Sequence, residues 1–311
     1  MLETQSPTTG APSGSDGAVV RFDGVTKIYR GGGGVRNLTL NVQPGEVFGF
    51  LGPNGAGKTT TIRLLLDLIR PSAGTITVFG GDSRRDSVGI RRRVGYLPGD
   101  LALYEQLSAR DVLSHFAHLR GGPEWSQIHS LATTLELDLD RPIRSLSRGT
   151  RQKVGIVAAL MGEPDLLVLD EPTSGLDPLV QRQVHDMLRA AATAGRSVFL
   201  SSHVLSEVAQ VADRVGLIRD GELVTVERVL DLRQRAAHLI DVRLRQEPSR
   251  DAFASLPGVT VCTVSGRDVH LEVTGDLRPV VSAIAASDLE DLSVREPSLE
   301  EVFLSFYDNA S

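Results

Sequence analysis

The alternation of apolar and polar positions divides the chain into strands and helices before any composition is considered. Ala18 to Phe22 reads as an opening strand, and Leu38, Leu40 and Val42 alternate as a second one after the glycine run Gly31 to Gly34. Pro44-Gly45 marks a turn, and Glu46 to Leu51 is a short, almost continuous apolar strand. A glycine-rich loop follows. Ile62, Leu65, Leu66 and Ile69 then recur at helical spacing, and Pro71 ends that helix. The stretch from Pro98 to Ser145 is predicted to be mostly helical, broken at Gly121-Gly122-Pro123. A second buried strand is expected at Leu166–Leu169, a helix at Val180–Ala192 and a third strand at Ser197–Leu200. Strands that are apolar on both faces and alternate with helices imply a largely parallel sheet, an α/β fold.

Beyond Gly221 the pattern changes to strand, helix, two strands, helix, strand. The expected elements are strands at Leu239–Leu244, Val259–Val264, Val269–Val273 and Leu289–Val294, with helices at Arg250–Leu256 and Leu277–Ala286. Ser265-Gly266-Arg267-Asp268 is the turn between the middle strands. This order suits a small ferredoxin-like α+β domain. A last helix is expected from about Ser298, with Glu300 and Glu301 at its positive end. The expected division is a disordered tail over 1–17, a main unit over 18–230 with a helical part at about 98–150, and the small domain over 236–308.

Composition narrows the class only a little. The 311 residues carry 33 basic and 39 acidic side chains, a formal charge of -6, so broad electrostatic binding to nucleic acid or an anionic surface is disfavoured. Cys262 is the only cysteine, which excludes an intrachain disulfide and a cysteine zinc site. The first 18 residues lack the basic start and apolar stretch of a signal peptide. No apolar run approaches the roughly 18–20 residues of a membrane span. Work at a membrane would need another protein's helices.

Gly52-Pro53-Asn54-Gly55-Ala56-Gly57-Lys58-Thr59, between a strand and a helix, fits G-x-x-x-x-G-K-[ST] in full. Its glycines let backbone N–H groups converge on phosphates, Lys58 supplies a charge, and Thr59 offers a hydroxyl to Mg²⁺. Thr60 completes the candidate loop. The apolar strand Leu166 to Leu169 then ends in Asp170 and Glu171. Asp170 is placed to hold Mg²⁺, and Glu171 to polarise an attacking water.

With Leu146-Ser147-Arg148-Gly149-Thr150-Arg151-Gln152-Lys153 added, the chain resembles the nucleotide-binding subunit of an ATP-binding cassette (ABC) transporter. In that family a signature of the form LSGGQ heads a helix. The resemblance implies that Ser147 and the N–H of Gly149 contact the γ-phosphate of ATP held by the opposite subunit. Arg148 stands in place of the first glycine and Thr150 in place of the glutamine. Ser174-Gly175-Leu176-Asp177 resembles the D-loop, His203 the switch histidine, and Tyr29 the aromatic that stacks on adenine. Val94 to Asp100 aligns with the Q-loop, but Gly99 occupies the glutamine position, leaving Asp100 as a candidate metal contact. The closing run Pro297 to Leu304 is similar to the small C-terminal domain of drug- and antibiotic-type (ABC-2) exporter ATPases.

What the resemblance implies is a P-loop NTPase cassette, a RecA-like core with a helical subdomain, that hydrolyses ATP with Mg²⁺. The expected partners are a separate transmembrane permease subunit and a second ATP-binding subunit, most simply an identical one, at the cytoplasmic face of the membrane, without nucleic acid. The other class of function weighed is a soluble ABC ATPase acting on ribosomes or DNA. It is disfavoured by the single cassette, the single cysteine and the acidic charge.

Overall fold

A computed structural model describes residues 17–295 apart from Pro123, Ala236, Ala237 and Arg250. The chain begins with strands β1 (Val20–Ile28), β2 (Gly34–Val42) and β3 (Val47–Leu51), the last running through the glycine loop into helix α1 (Lys58–Leu65). Strands β4 (Ala73–Val78) and β5 (Gly81–Asp82), helix α2 (Ser87–Arg92) and strand β6 (Val94–Leu97) follow. Helices α3 (Ala109–Leu119), α4 (Trp125–Thr134) and α5 (Arg148–Leu160) come next. The core is completed by β7 (Leu166–Asp170), α6 (Pro178–Thr193), β8 (Ser197–Ser202), α7 (Leu205–Val211), β9 (Arg214–Arg219), β10 (Glu222–Arg228) and α8 (Val229–Arg235). The last described segment contains β11 (His238–Leu244), α9 (Asp251–Ala254), β12 (Val259–Ser265), β13 (Asp268–Val273), α10 (Arg278–Ala285) and β14 (Leu289–Arg295).

The six-stranded sheet has the order β10-β9-β3-β8-β7-β6. Its strands from β9 to β6 pair in parallel, and β10 is antiparallel at the edge. Every residue of β3, β7 and β8 is buried, as expected of strands covered by helices or a second sheet on both faces. The two-residue period sorts them. Val47, Leu51, Leu167, Leu169, Val198 and Leu200 pack with α3 to α7, while Phe48, Phe50, Leu166, Val168 and Phe199 face α1 and a second sheet. Phe48 and Phe199 stack with ring centroids 5.8 Å apart in that second core.

The second sheet is antiparallel in the order β2-β1-β4-β5, and the opening strand belongs to it rather than to the parallel sheet. β1 and β2 are consecutive and close through the Gly31–Gly34 loop, so the chain forms a hairpin-like pair rather than a crossover. Two expectations are corrected. α1 ends at Leu65 rather than near Pro71, because Asp67 turns to φ 51° and Leu68 N–H bonds back to the Arg63 carbonyl. The segment from Pro98 to Leu107 is not helical. Helix starts at Ala109, where Ser108 and Asp111 form a reciprocal capping box.

The third sheet runs β12-β13-β11-β14 with all neighbours antiparallel, which is the ferredoxin-like order expected from the strand and helix pattern. Ile240, Val242, Leu244, Leu271 and Val273 form its core with Phe253, Val280 and Ile284 of the two helices. The expected terminal helix from Ser298, and the tail over residues 1–16, lie outside the described residues.

Helix α5 is seated on β6 by glycine. A Cβ on Gly95 would lie 2.1 Å from the Ala159 carbonyl oxygen, which is backbone and has no rotamer to change. Gly95→Ala should therefore push α5 off the sheet and destabilise the protein by about 1–3 kcal/mol, read as a lower urea midpoint. An unchanged midpoint would contradict this packing.

Candidate nucleotide site

The site grows from the ends of β3 and β7. Gly57, the residue before α1, has φ 112°, and a Cβ there would meet the Gly34 carbonyl oxygen at 2.7 Å. Only glycine suits that conformation and that contact. The same contact sets Gly34, at the end of the glycine turn, against the phosphate loop. Lys58 opens α1 and is 6% exposed. Its ammonium donates to the carbonyls of Gly52 at 2.6 Å and Pro53 at 3.2 Å. It also lies 3.4 Å from Glu171 Oε1.

β7 ends in Asp170, which is 2% exposed. A buried carboxylate requires donors, and Asp170 has two. Ser201 Oγ of the neighbouring β8 donates to Oδ1, and Thr59 Oγ1 donates to Oδ2 at 2.8 Å. Glu171 then leaves the sheet with φ 52°, a left-handed conformation that disfavours a non-glycine residue. Its N–H bonds the Ser201 carbonyl at 3.2 Å, and its Oε2 lies 2.9 Å from His203 Nδ1. One Glu171 oxygen thus faces the Lys58 ammonium and the other the His203 ring.

A cleft of about 430 Å³ opens onto these groups, lined among others by Asn54, Gly55, Gly57, Lys58, Thr59, Thr60, Asp100, Asp170 and Glu171. Arg63 and Tyr96 also line it, and the motif reading missed both. Arg63 stands four residues after Thr59 and so shares its helix face, a signal the sequence does carry. Tyr96 gives no such signal. Burial, and secondarily the Asp170 charge, push its phenol above the usual range, so it remains a neutral hydroxyl at the cleft wall. Gly99 also lines this wall, and a Cβ there would stand 3.1 Å from Asp170 Oδ2. The position belongs to the site although it brings no side chain.

The other expected residues lie outside this cleft. Gly52, Pro53 and Ala56 form the base of the loop, with Gly52 and Pro53 accepting from Lys58. Ser147 caps α5 by accepting from Thr150 N–H at 3.1 Å, and its hydroxyl lies 2.8 Å from Thr150 Oγ1. Asp177 caps α6, accepting from Leu179 and Val180 N–H. Gly149 packs so closely on the D-loop-like turn that a Cβ would be 2.7 Å from the Gly175 carbonyl oxygen. Arg148, one residue before it, donates to Ser174 Oγ at 3.3 Å. Tyr29 is 40% exposed, with the Lys27 ammonium 6.0 Å from its ring centroid. A second cavity of about 590 Å³ lies between Gly99-Asp100-Leu101 and the start of α5.

The arrangement suits a nucleotide triphosphate. Backbone N–H groups at a helix start and a buried ammonium receive phosphate oxygens, beside a carboxylate pair able to handle water and a cation. A family model described as ABC transporter matches residues 35–174. The daunorubicin/doxorubicin resistance ATP-binding protein DrrA of Streptomyces peucetius is 36% identical over 304 residues, covering 92% of this chain and 91% of that protein. The bacitracin transport ATP-binding protein BcrA of Bacillus licheniformis is 35% identical over 232 residues, covering 74% of this chain and 76% of that protein. A solved structure of an ATP-binding subunit of an ABC transporter superposes with a TM-score of 0.64 at 27% identity, covering 70% of this chain and 92% of that one. The chain belongs to the ABC transporter family, as one of its ATP-binding, ATP-hydrolysing subunits.

Proposed function

We propose that this ATPase energises an exporter of the drug or antibiotic type, and that Glu171, Lys58 and His203 carry out hydrolysis. The observation that carries the site assignment is the Glu171 carboxylate fixed between the Lys58 ammonium at 3.4 Å and His203 Nδ1 at 2.9 Å, at the mouth of the phosphate loop. Support for the cargo class comes from the two relatives, a daunorubicin/doxorubicin resistance protein and a bacitracin transport protein.

In this reading the loop from Gly52 to Thr60 cradles the phosphates and Tyr29 stacks on the adenine. Water attacks the γ-phosphorus, and the bond to the β–γ bridging oxygen breaks. Glu171 orients that water and accepts its proton, while His203 holds the carboxylate in line and Lys58 offsets charge on the phosphate oxygens. Thr59 Oγ1 and Asp170 Oδ2, 2.8 Å apart at the loop end, are hard oxygen donors that fit Mg²⁺. They would hold the ion with phosphate oxygens and water completing its shell, and Asp100 lines the same cleft. Bound there, Mg²⁺ neutralises phosphate charge.

Ser147, Gly149 and Asp177 are assigned to a second subunit's nucleotide, as the family resemblance implies, and none of them lines this chain's own phosphate cleft. Two copies would sandwich two MgATP, each seated on the loop of one chain and the N-terminus of α5 in the other. ATP then favours the closed pair because it binds that pair more tightly, and closure drives the membrane subunit. Among the described residues no helix is long and apolar enough to cross a membrane. In this reading the chain lies at the cytoplasmic face, bound to a separate permease. Residues 18–230 form the nucleotide-binding unit and 236–308 a separate small domain. Support for that division is that the Ile240–Ile284 core shares no residue with the other two clusters.

Glu171→Gln should retain ATP binding while phosphate release falls by about 10²–10⁴-fold; unchanged hydrolysis would overturn the assignment of Glu171. Tagged Glu171→Gln protein, drawn from detergent-solubilised membranes of its own source with ATP, should bring down a polytopic membrane protein identified by mass spectrometry. Ribosomal or DNA-bound partners, with no membrane protein, would contradict the exporter reading.

A further inference from the structure

Gln152 lies on α5, away from the phosphate loop, and none of the chemistry above uses it. Its side chain is 8% exposed. Nε2 donates to the Glu171 carbonyl at 3.2 Å and to the Pro172 carbonyl at 3.1 Å. Two carbonyl partners settle which end of the amide is nitrogen, and both of its protons are used.

These carbonyls belong to the turn that the site most depends on. β7 stops at Asp170, so neither lies within a strand ladder. Glu171 has φ 52°, a conformation that persists in a non-glycine residue only when its surroundings enforce it. The N-terminal side of the turn is held by the Ser201 carbonyl on Glu171 N–H. On the other side, Ser174 N–H also bonds the Glu171 carbonyl at 3.2 Å, but that bond is internal to the turn. Gln152 is the donor that ties both carbonyls to a different element.

We infer that Gln152 is a positioning residue for hydrolysis: by clamping the Glu171 and Pro172 carbonyls it fixes the direction in which the Glu171 carboxylate projects. The inference rests on the reading of Glu171 given above. It also gives α5 two duties. Ser147 begins the helix, and Gln152 follows five residues later, about 7.5 Å along a helix axis. The helix proposed to meet the partner's nucleotide thus grips the catalytic turn of its own chain.

The test is a kinetic cycle on the full-length protein. Gln152→Leu removes the donor. Gln152→Met keeps the length of the side chain but carries no N–H or O–H to donate. Both should lower kcat by roughly 10- to 100-fold, the scale expected when a catalytic group is displaced by about 1 Å. Both should leave the ATP dissociation constant within about threefold and the thermal midpoint high enough to assay. In a Glu171→Gln background the same substitutions should lower residual single-turnover hydrolysis less than about twofold, because they act through the group already lost. An equal fall in both backgrounds would overturn the inference and make Gln152 a general structural contact. So would wild-type kcat in either single variant. If Glu171→Gln itself hydrolyses normally, the reading of the site fails. If it is inactive while the Gln152 variants turn over like the parent, only the present inference fails.

Discussion

The turn Asp170-Glu171-Pro172 is the constraint on which the rest of the structure depends. It must hold one carboxylate in the protein interior and send the next into a cleft, within two residues. A buried carboxylate without donors costs several kcal/mol. Asp170 therefore requires β8 on one side, through Ser201, and the start of α1 on the other, through Thr59. Those two bonds fix the spacing between the phosphate loop and the end of β7. Glu171 leaves by a left-handed step at φ 52°, so its carbonyl turns away from the sheet toward α5. The geometry proposed for catalysis is thus set by three elements that meet around one strand end.

That arrangement explains the demand for small residues around α5. The helix must approach β6 closely enough for Gln152 to reach the turn, and Gly95 permits it by leaving no atom beneath the Ala159 carbonyl. On the same helix a Cβ at Gly155 sits 2.6 Å from where Leu97 and Leu101 side chains are packed, so β6, the following loop and α5 are close-fitted. At the N-terminal end, Gly149 and Arg148 bring the helix against Gly175 and Ser174. A shift of α5 is therefore felt at the Asp170–Pro172 turn and at the D-loop-like turn together.

Much of this was legible in the sequence, for a physical reason. The phosphate loop and the Leu166–Glu171 strand end are local, each written in consecutive residues whose backbone chemistry suffices to read them. The third sheet was legible because its strands and helices alternate cleanly, with Ser265-Gly266-Arg267-Asp268 as an unambiguous turn. Gln152 was not, since its partners are carbonyls whose direction depends on a backbone angle at Glu171. The antiparallel sheet was hidden because β1 pairs with irregular register between Phe22, Val25 and Lys27, which blurs the two-residue period. Likewise the end of α1 was set by Asp67 entering a left-handed conformation, not by Pro71. For Gln152 and the antiparallel sheet, distant partners decide the local outcome.

The central claim is that one catalytic site is built from two chains, and mixing two inactive variants tests it most directly. Glu171→Gln lacks the proposed water-activating group in every site. Ser147→Arg blocks the surface offered to the partner's nucleotide while leaving its own Glu171 intact. Neither alone should hydrolyse ATP appreciably. When the two are mixed, each mixed pair contains one site with a native Glu171 from one chain and a native Ser147 from the other. Hydrolysis should return, rising with the fraction of mixed pairs. A mixture no more active than the sum of its inactive components would contradict the account.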